Sequence, residues 1–564
     1  MSLPYLLDSR RLTGPSLLLD QPGAILEVKF PARHKKLWLA TLEKEARRLQ
    51  RRVGWRHERA VVRDQGPSQM LATSAPLDGL MPATYLNEAA LERTLALHDG
   101  HEAPTLEAQT DDLLARIARR AEPRLIALTR AAELHQVPWM LGDGDLSLGY
   151  GAHAIRYPDD ELPLPDAVDW AHLKTRPKIA LITGTNGKTT TTRLLARMLR
   201  EAGQMAGFCS TDYVQIGEEV VSRDDYSGPT GARMVLRDPR VTAAALEVAR
   251  GGMLRRGLSV READVAVVLN IADDHLGDSG IYTLNQLAEA KLLIRKGLKR
   301  YAPLILNAGS TPLQREAKKL DQRLRWFGIE RPAAALMQAC KRTVYVADDQ
   351  LVEEHEGRIQ PLLAVTDIAI GFDGAARHNL ENAAAATLAA LELGIERAAI
   401  VRTLQNFGRA PTDNPGRANL FTIRGARVIA DYGHNPDGFD AMLKLVRAMP
   451  HQRLLLMIGQ AGDRTDEDIR ALADRAAAGQ PARVAIKALS RMLRGREAGA
   501  VPALLEQQLL SQGIPAERIS HHATDAEAMD TLLAELEPGD LALLFIHEDA
   551  PALLARLAER AATD

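Results

Sequence analysis

The run Gly184-Thr185-Asn186-Gly187-Lys188-Thr189-Thr190-Thr191-Thr192 carries the residue types that grip a phosphate. Two glycines let the main chain approach an anion, Lys188 adds a full charge, and Thr189 offers a hydroxyl to a divalent cation. The apolar Ile179-Ala180-Leu181-Ile182 precedes the run, and Leu194, Leu195, Met198 and Leu199 follow it at helical spacing. The loop therefore lies between a buried strand and a helix N-terminus, where unpaired amides and the macrodipole favour an anion. The residue six positions before Lys188 is Ile182, where the usual P-loop pattern has glycine, so the match is to a shorter variant. Binding of ATP with Mg²⁺ is the chemistry this spacing predicts.

Other polar residues stand where apolar runs end, which is where an open α/β sheet keeps its ligands. Glu247 lies just before Gly251-Gly252 and reads either as a Mg²⁺ ligand or as an ordinary surface helix carboxylate. Asn270, Asp273, Asp274 and His275 follow Val265-Ala266-Val267-Val268-Leu269, offering hard oxygen ligands and an imidazole. Asp431-Tyr432-Gly433-His434-Asn435-Pro436 repeats that arrangement after Val428-Ile429-Ala430, with Pro436 placed to open a helix.

Three units must position these residues. Residues 1–165 mix short strands with long helices, expected from Lys36 to Arg52 and from Asp111 to Gln136, and read as a small α+β unit. Arg47, Arg48, Arg51, Arg52, Arg56 and Arg59 form a cationic stripe, either a solvated face or a dock for a polyanion. The prolines and acids from Tyr157 to Asp166 read as a linker. Residues 166–416 alternate apolar strands with helices, as in a doubly wound parallel sheet, and the alternation restarts in 417–564 as a second, Rossmann-like α/β domain.

With 71 basic and 73 acidic residues the 564-residue chain has a formal charge of −2, so nothing draws it globally to nucleic acid or membrane. Cys209 and Cys340 suit a reducing compartment and form no metal-ligand spacing. No signal-peptide order or membrane-length apolar run is present, and a cytoplasmic enzyme is expected.

The order Gly184 to Thr189, Glu247, Asp274-His275, Asn379 and Asn382, Gly416-Arg417, then Asp431 to Pro436 resembles the Mur ligases and their folylpolyglutamate synthetase relatives. Within that superfamily the chain is most similar to the cyanophycin synthetases. The run Leu246-Glu247-Val248-Ala249-Arg250-Gly251-Gly252-Met253-Leu254-Arg255 resembles their Leu-Glu-x-Ala-Arg-Gly-Gly-Ile-Leu-Arg, and Gly462-Asp463-Arg464-Thr465 and Leu493-Arg494-Gly495-Arg496 also match. Ser9 to Pro15 and Leu148 to Gly151 resemble the start and finish of their N-terminal domain. In those enzymes a backbone-extending ATP-grasp domain comes next, and the stretch from Gly151 to Gly184 has no room for one.

The resemblance implies that a carboxylate is activated by ATP as an acyl phosphate and captured by an amine. It implies that Gly184, Thr185, Asn186, Gly187, Lys188 and Thr190 hold the phosphates, that Thr189, Glu247 and His275 hold Mg²⁺, and that Asn382 meets adenine. Arg417, Asp431 and His434 are implied to reach ATP from the C-terminal domain, and Lys188, His275 and Lys291 to be catalytic, Lys291 as the family's carbamylated lysine. The family's Asn-Ala-Asp-Asp segment is Asn307-Ala308-Gly309-Ser310 here, without its carboxylates. The expected substrates are an amino acid, arginine or a similar base, and a carboxylate acceptor such as an aspartate-rich polymer, with Asp463, Asp466, Glu467 and Asp468 either meeting a cationic amino acid or forming an ordinary solvated acidic loop. A partner synthetase that supplies the backbone and a homo-oligomeric state are further expectations. A ligase for a small metabolite and a catalytically quiet scaffold are the alternatives.

Overall fold

The computed structural model describes residues 5–563 except 143, 274, 275, 339 and 434. Strands Leu6–Leu12, Gly23–Val28, Gln69–Ser74 and Ala60–Asp64 lie side by side in that order as an antiparallel sheet. Helices Lys35–Arg52 and Leu80–His98 pack on it through one apolar cluster. Along the first helix Leu39, Leu42, Ala46 and Leu49 recur every three or four residues and are buried, which turns Arg47, Arg48, Arg51 and Arg52 to solvent. The helix expected from Asp111 to Gln136 is two, Leu106–Ala118 and Pro123–Leu134. Pro123 has no amide hydrogen and its ring clashes inside a helix, so it opens the second one instead.

Most of the stretch from Tyr157 to Asp166 is exposed, but Leu162 within it and the residues that follow are tied down. Leu162, Val168, Trp170 and Leu173 are buried with Leu125, Leu128 and Leu146, and Trp170 Nε1 donates to the Pro165 carbonyl at 2.9 Å. Apolar residues scattered among prolines found a core that local composition did not announce.

The central sheet has eleven strands among the described residues. Its middle is parallel, in the order Ala206–Cys209, Ala243–Glu247, Lys178–Thr183, Val265–Val268, Leu304–Asn307, Leu324–Phe327 and Arg342–Ala347. Both edges are antiparallel, Val214–Ile216 with Glu219–Ser222 on one side and Gln350–His355 with Arg358–Ala364 on the other, so the expected parallel sheet is in fact mixed. Ile179, Ala180, Leu181 and Ile182 are fully buried because helices cover both faces. Alternate residues explain it: Ala180 and Ile182 pack toward helices Lys188–Glu201 and Arg377–Glu392, while Ile179 and Leu181 pack toward Leu284–Leu292.

The last sheet runs Asn419–Ile423, Ala426–Asp431, Leu541–Phe545, Leu454–Ile458, Arg483–Lys487, Ile519–His522, parallel except for its first hairpin. Helix Pro436–Ala448 carries its apolar stripe into this sheet and points its N-terminus at the central domain. Among the described residues no helix is long and apolar enough to cross a membrane.

Candidate active site

Strand Lys178–Thr183 ends in the glycine loop, and helix Lys188–Glu201 begins at once. Gly187 caps that helix at φ +82°, and a Cβ there would stand 2.1 Å from Asn382 Oδ1, so both backbone and neighbour demand glycine. The loop is tied to the next parallel strand. Asn186 N donates to Asn270 Oδ1 at 2.8 Å, Asn270 Nδ2 returns a bond to the Asn186 carbonyl at 3.1 Å, and Ala272 N donates to Thr185 Oγ1 at 3.1 Å. Thr190 Oγ1 accepts from Asn414 Nδ2 at 3.2 Å. Lys188 Nζ donates to the Thr185 carbonyl at 2.8 Å, leaving further ammonium hydrogens for an anion above the loop.

Glu247 closes strand Ala243–Glu247 and is 1% exposed, which removes its reading as a surface helix carboxylate. Its two oxygens accept from Thr189 Oγ1 at 2.9 Å and Thr211 Oγ1 at 2.8 Å. A buried carboxylate that accepts from two hydroxyls keeps spare lone pairs, a donor set that suits a hard divalent cation. Lys291, 4% exposed, comes in from helix Leu284–Leu292 and donates to the Gly184 carbonyl at 2.9 Å. Asn382 lies under Gly187, close to the Thr191 hydroxyl at 3.4 Å. Asp274, His275 and His434, expected to act here, lie outside the described residues.

The C-terminal domain closes the other wall. Asn186 Nδ2 donates to Asp437 Oδ2 at 2.8 Å, and Asn435 Nδ2 donates to Asn186 Oδ1 at 2.9 Å, so the tip of helix Pro436–Ala448 touches the phosphate loop. Arg417 lies over the Tyr432 ring at 4.9 Å and 3.5 Å from Asp212. Burial works against its charge, but Asp212, Asp431 and Glu247 outweigh that and hold its pKa above the ordinary value. Burial pushes the Asp431 carboxyl up, and Gly433 N at 2.7 Å and Ala418 N at 2.8 Å donate to it.

Between the walls is a cavity of about 1280 Å³, lined by the phosphate loop, Glu247, Lys291, Arg417, Asp431 and Asp463. That exceeds a typical small-molecule pocket, leaving room for a nucleotide and a second reactant. His378 and Glu381, which motif reading passed over, also line it, and burial lowers the His378 pKa to about 4 while raising that of Glu381. A His one place before Asn379 in a helix start was the available signal. Of the acids expected to meet a cation, Asp463 reaches the cavity, and Arg494 already holds it. Asp466 pairs with Arg496 at 2.7 Å, and Asp468 is spent on the capping box of Thr465. Two of the four acids, Asp463 and Asp466, are thus held by local arginines and a third by a helix cap, which leaves Asp463 as the one of them on the cavity.

Fold and cleft together define a two-lobed α/β protein with a glycine phosphate loop at the junction. The Mur ligase middle domain model matches residues 182–390, and the Mur ligase, glutamate ligase domain model matches 416–545, together more than half of the chain. The chain belongs to the Mur ligase family, whose members are ATP-dependent ligases. It is 34% identical to the cyanophycin synthetase of Geminocystis herdmanii over 66% of this chain and 42% of that one. The cyanophycin synthetase of Synechocystis sp. is 33% identical over 68% of this chain and 44% of its own length, so the chain spans less than half of these relatives. The UDP-N-acetylmuramyl-tripeptide synthetase of Leifsonia xyli subsp. xyli is 28% identical over 57% of this chain and 62% of that one. E. coli FolC, solved in complex with DHPP and ADP, superposes with a TM-score of 0.50 at 20% identity, covering 69% of this chain and 90% of that one, a likeness of fold.

Proposed function

We propose that the protein is an ATP-dependent amide ligase that activates a carboxylate as an acyl phosphate and joins it to the amine of an amino acid. The observation that carries this reading is the meeting of the glycine loop, the buried Thr189–Glu247 pair and Arg417 around one cavity. Phosphoryl transfer needs little covalent help from protein; positioning and charge neutralisation supply most of the rate. Loop amides and Lys188 hold the phosphates. Thr189 and Glu247 would hold Mg²⁺, which when bound neutralises phosphate charge. The acceptor carboxylate oxygen bonds to the γ-phosphorus as the bond to the β-phosphate oxygen breaks, releasing ADP. The amine then attacks the acyl carbon, phosphate leaves, and the amine proton is lost. Arg417 faces this charge from the far wall.

For substrates, similarity to the cyanophycin synthetases supports arginine, or a related base, joined to aspartate side chains of a polymer or peptide. The Asp463–Arg494 pair would let an incoming guanidinium take the place of Arg494. Similarity to the tripeptide synthetase supports a smaller acceptor as the second reading. The test is ADP release with ATP, Mg²⁺, arginine and aspartate-containing peptides. Release that requires both acceptor and amine supports ligation; nucleotide binding without turnover on any acceptor rejects it.

A further inference from the structure

Among the contacts between the N-terminal unit and the central domain, which include Asp145 with Arg237 and Tyr150 with Arg261, two groups bear on the cavity. Residues 64–69 join strands Ala60–Asp64 and Gln69–Ser74 and lean on the start of helix Leu284–Leu292, the helix that delivers Lys291. Gln286 Nε2 donates to Gln65 Oε1 at 2.9 Å, and Tyr282 OH donates to Ser68 Oγ at 3.2 Å. Ser68 in turn donates to Glu27 Oε1 at 2.7 Å. Arg63 clasps Glu289 with both guanidinium nitrogens, one contact at 2.7 Å. Gln65 and Ser68 are almost fully buried, so the Ser68–Glu27 bond is shielded from competing water and the bonds to Gln286 and Tyr282 are partly so. Gly280 has φ +73°, and a Cβ there would press on Met70 and Gln65. Two bridges from the turn and one from the strand that enters it thus land within one short segment.

The second grip is on a neighbouring helix of the same central domain. Thr13 N donates to the Arg256 carbonyl at 2.8 Å, Leu258 N donates to the Pro15 carbonyl at 2.8 Å, and Arg10 Nε donates to the Leu254 carbonyl at 3.1 Å. Gly14 passes so close that a Cβ would stand 1.9 Å from the Leu258 carbonyl oxygen. These contacts hold helix Arg250–Arg256, which follows Glu247 and puts Arg250 on the cavity. A unit needed only as a tether has no reason to bind both site-bearing helices with buried polar groups.

We infer that the N-terminal unit is a positioning element of the ligase site: Arg63, Gln65 and Ser68 hold the helix bearing Lys291 so that its ammonium stays on the phosphate loop. This rests on the ligase reading for its catalytic consequence, but the mechanical link stands apart from it. The experiment uses the full chain with Arg63→Glu, Glu289→Arg, the charge-swapped double variant, and the milder Gln286→Ala, each checked for an intact melting transition. The singles should speed amide hydrogen exchange in 284–292 and 184–188 by about fivefold and lower kcat similarly, with KM for ATP unchanged, and the double should restore both. A general loss of folding would not be repaired by swapping charges. Exchange or kcat that is unmoved in both singles and in Gln286→Ala overturns the inference. A wild-type protein that releases no ADP with any acceptor sinks the ligase reading. The exchange data then decide alone: protection lost in the singles and regained in the double upholds the brace, and unchanged protection removes it.

Discussion

The two walls of the cavity are built differently. On the central-domain wall the phosphate loop is held by part-buried main-chain and amide bonds, with Glu247 and Lys291 almost inaccessible. On the C-terminal wall the polar residues near Asp463 are ion pairs open to water, with Arg494 about half exposed. Buried networks are rigid and costly to disturb, whereas exposed pairs contribute about 0.2–1 kcal/mol and exchange partners readily. The first wall is suited to one invariant reactant, the nucleotide. Under the proposed function, the exposed Asp463–Arg494 pair on the second would choose among amino acids.

The contrast can be broken by substitution. Lys188→Ala should have the largest effect, lowering turnover by about a hundredfold or more, the scale for removing a preorganised charge donor. ADP release at saturating ATP measures it, and a near-wild-type rate would remove Lys188 from the mechanism. Glu247→Gln should come next. It keeps the shape, with one hydroxyl turned to accept from the new amide, but loses the charge, so the Mg²⁺ concentration for half-maximal activity should rise by about tenfold or more. A Mg²⁺ titration of ADP release reads this directly, and an unchanged midpoint would move the cation elsewhere.

His378 sharpens the comparison through pH. Its pKa falls from the ordinary 6.5 to about 4 because the surrounding protein desolvates the charged ring. Between those values the unfolded chain binds more protons than the folded one, so stability drops as pH falls from 6.5 toward 4 and is not further affected by this group below that. His378→Asn should flatten that slope in urea melts; an identical slope would mean that His378 does not carry it. The smallest effect is expected on the open wall. Asp463→Asn should change KM for the amino acid by about two- to fivefold with kcat preserved, as for an exposed pair. A hundredfold loss of kcat would make Asp463 part of the chemistry instead.

Legibility followed the same division. The glycine loop was readable because everything it needs, strand, turn, ammonium and helix start, lies within about fifteen consecutive residues, where local periodicity operates. The contacts between Asn186 and Asp437, or Lys291 and Gly184, join positions 251 and 107 apart in the chain, and no local pattern encodes such a meeting. The break at Pro123 was locally specified and overlooked. The packing of Trp170 and Leu173 among prolines was not locally specified at all.

Residue order by itself determined the phosphate loop, the alternation that yields two α/β domains, and the polar residues at strand ends, because each depends on short-range sterics and hydrophobic period. Tertiary structure alone decided that Glu247 is buried against Thr189, that Asp463 and Asp466 are held by Arg494 and Arg496, and that the N-terminal turn reaches the helix of Lys291. Those outcomes depend on which surfaces exclude water from one another, a property of the folded chain as a whole.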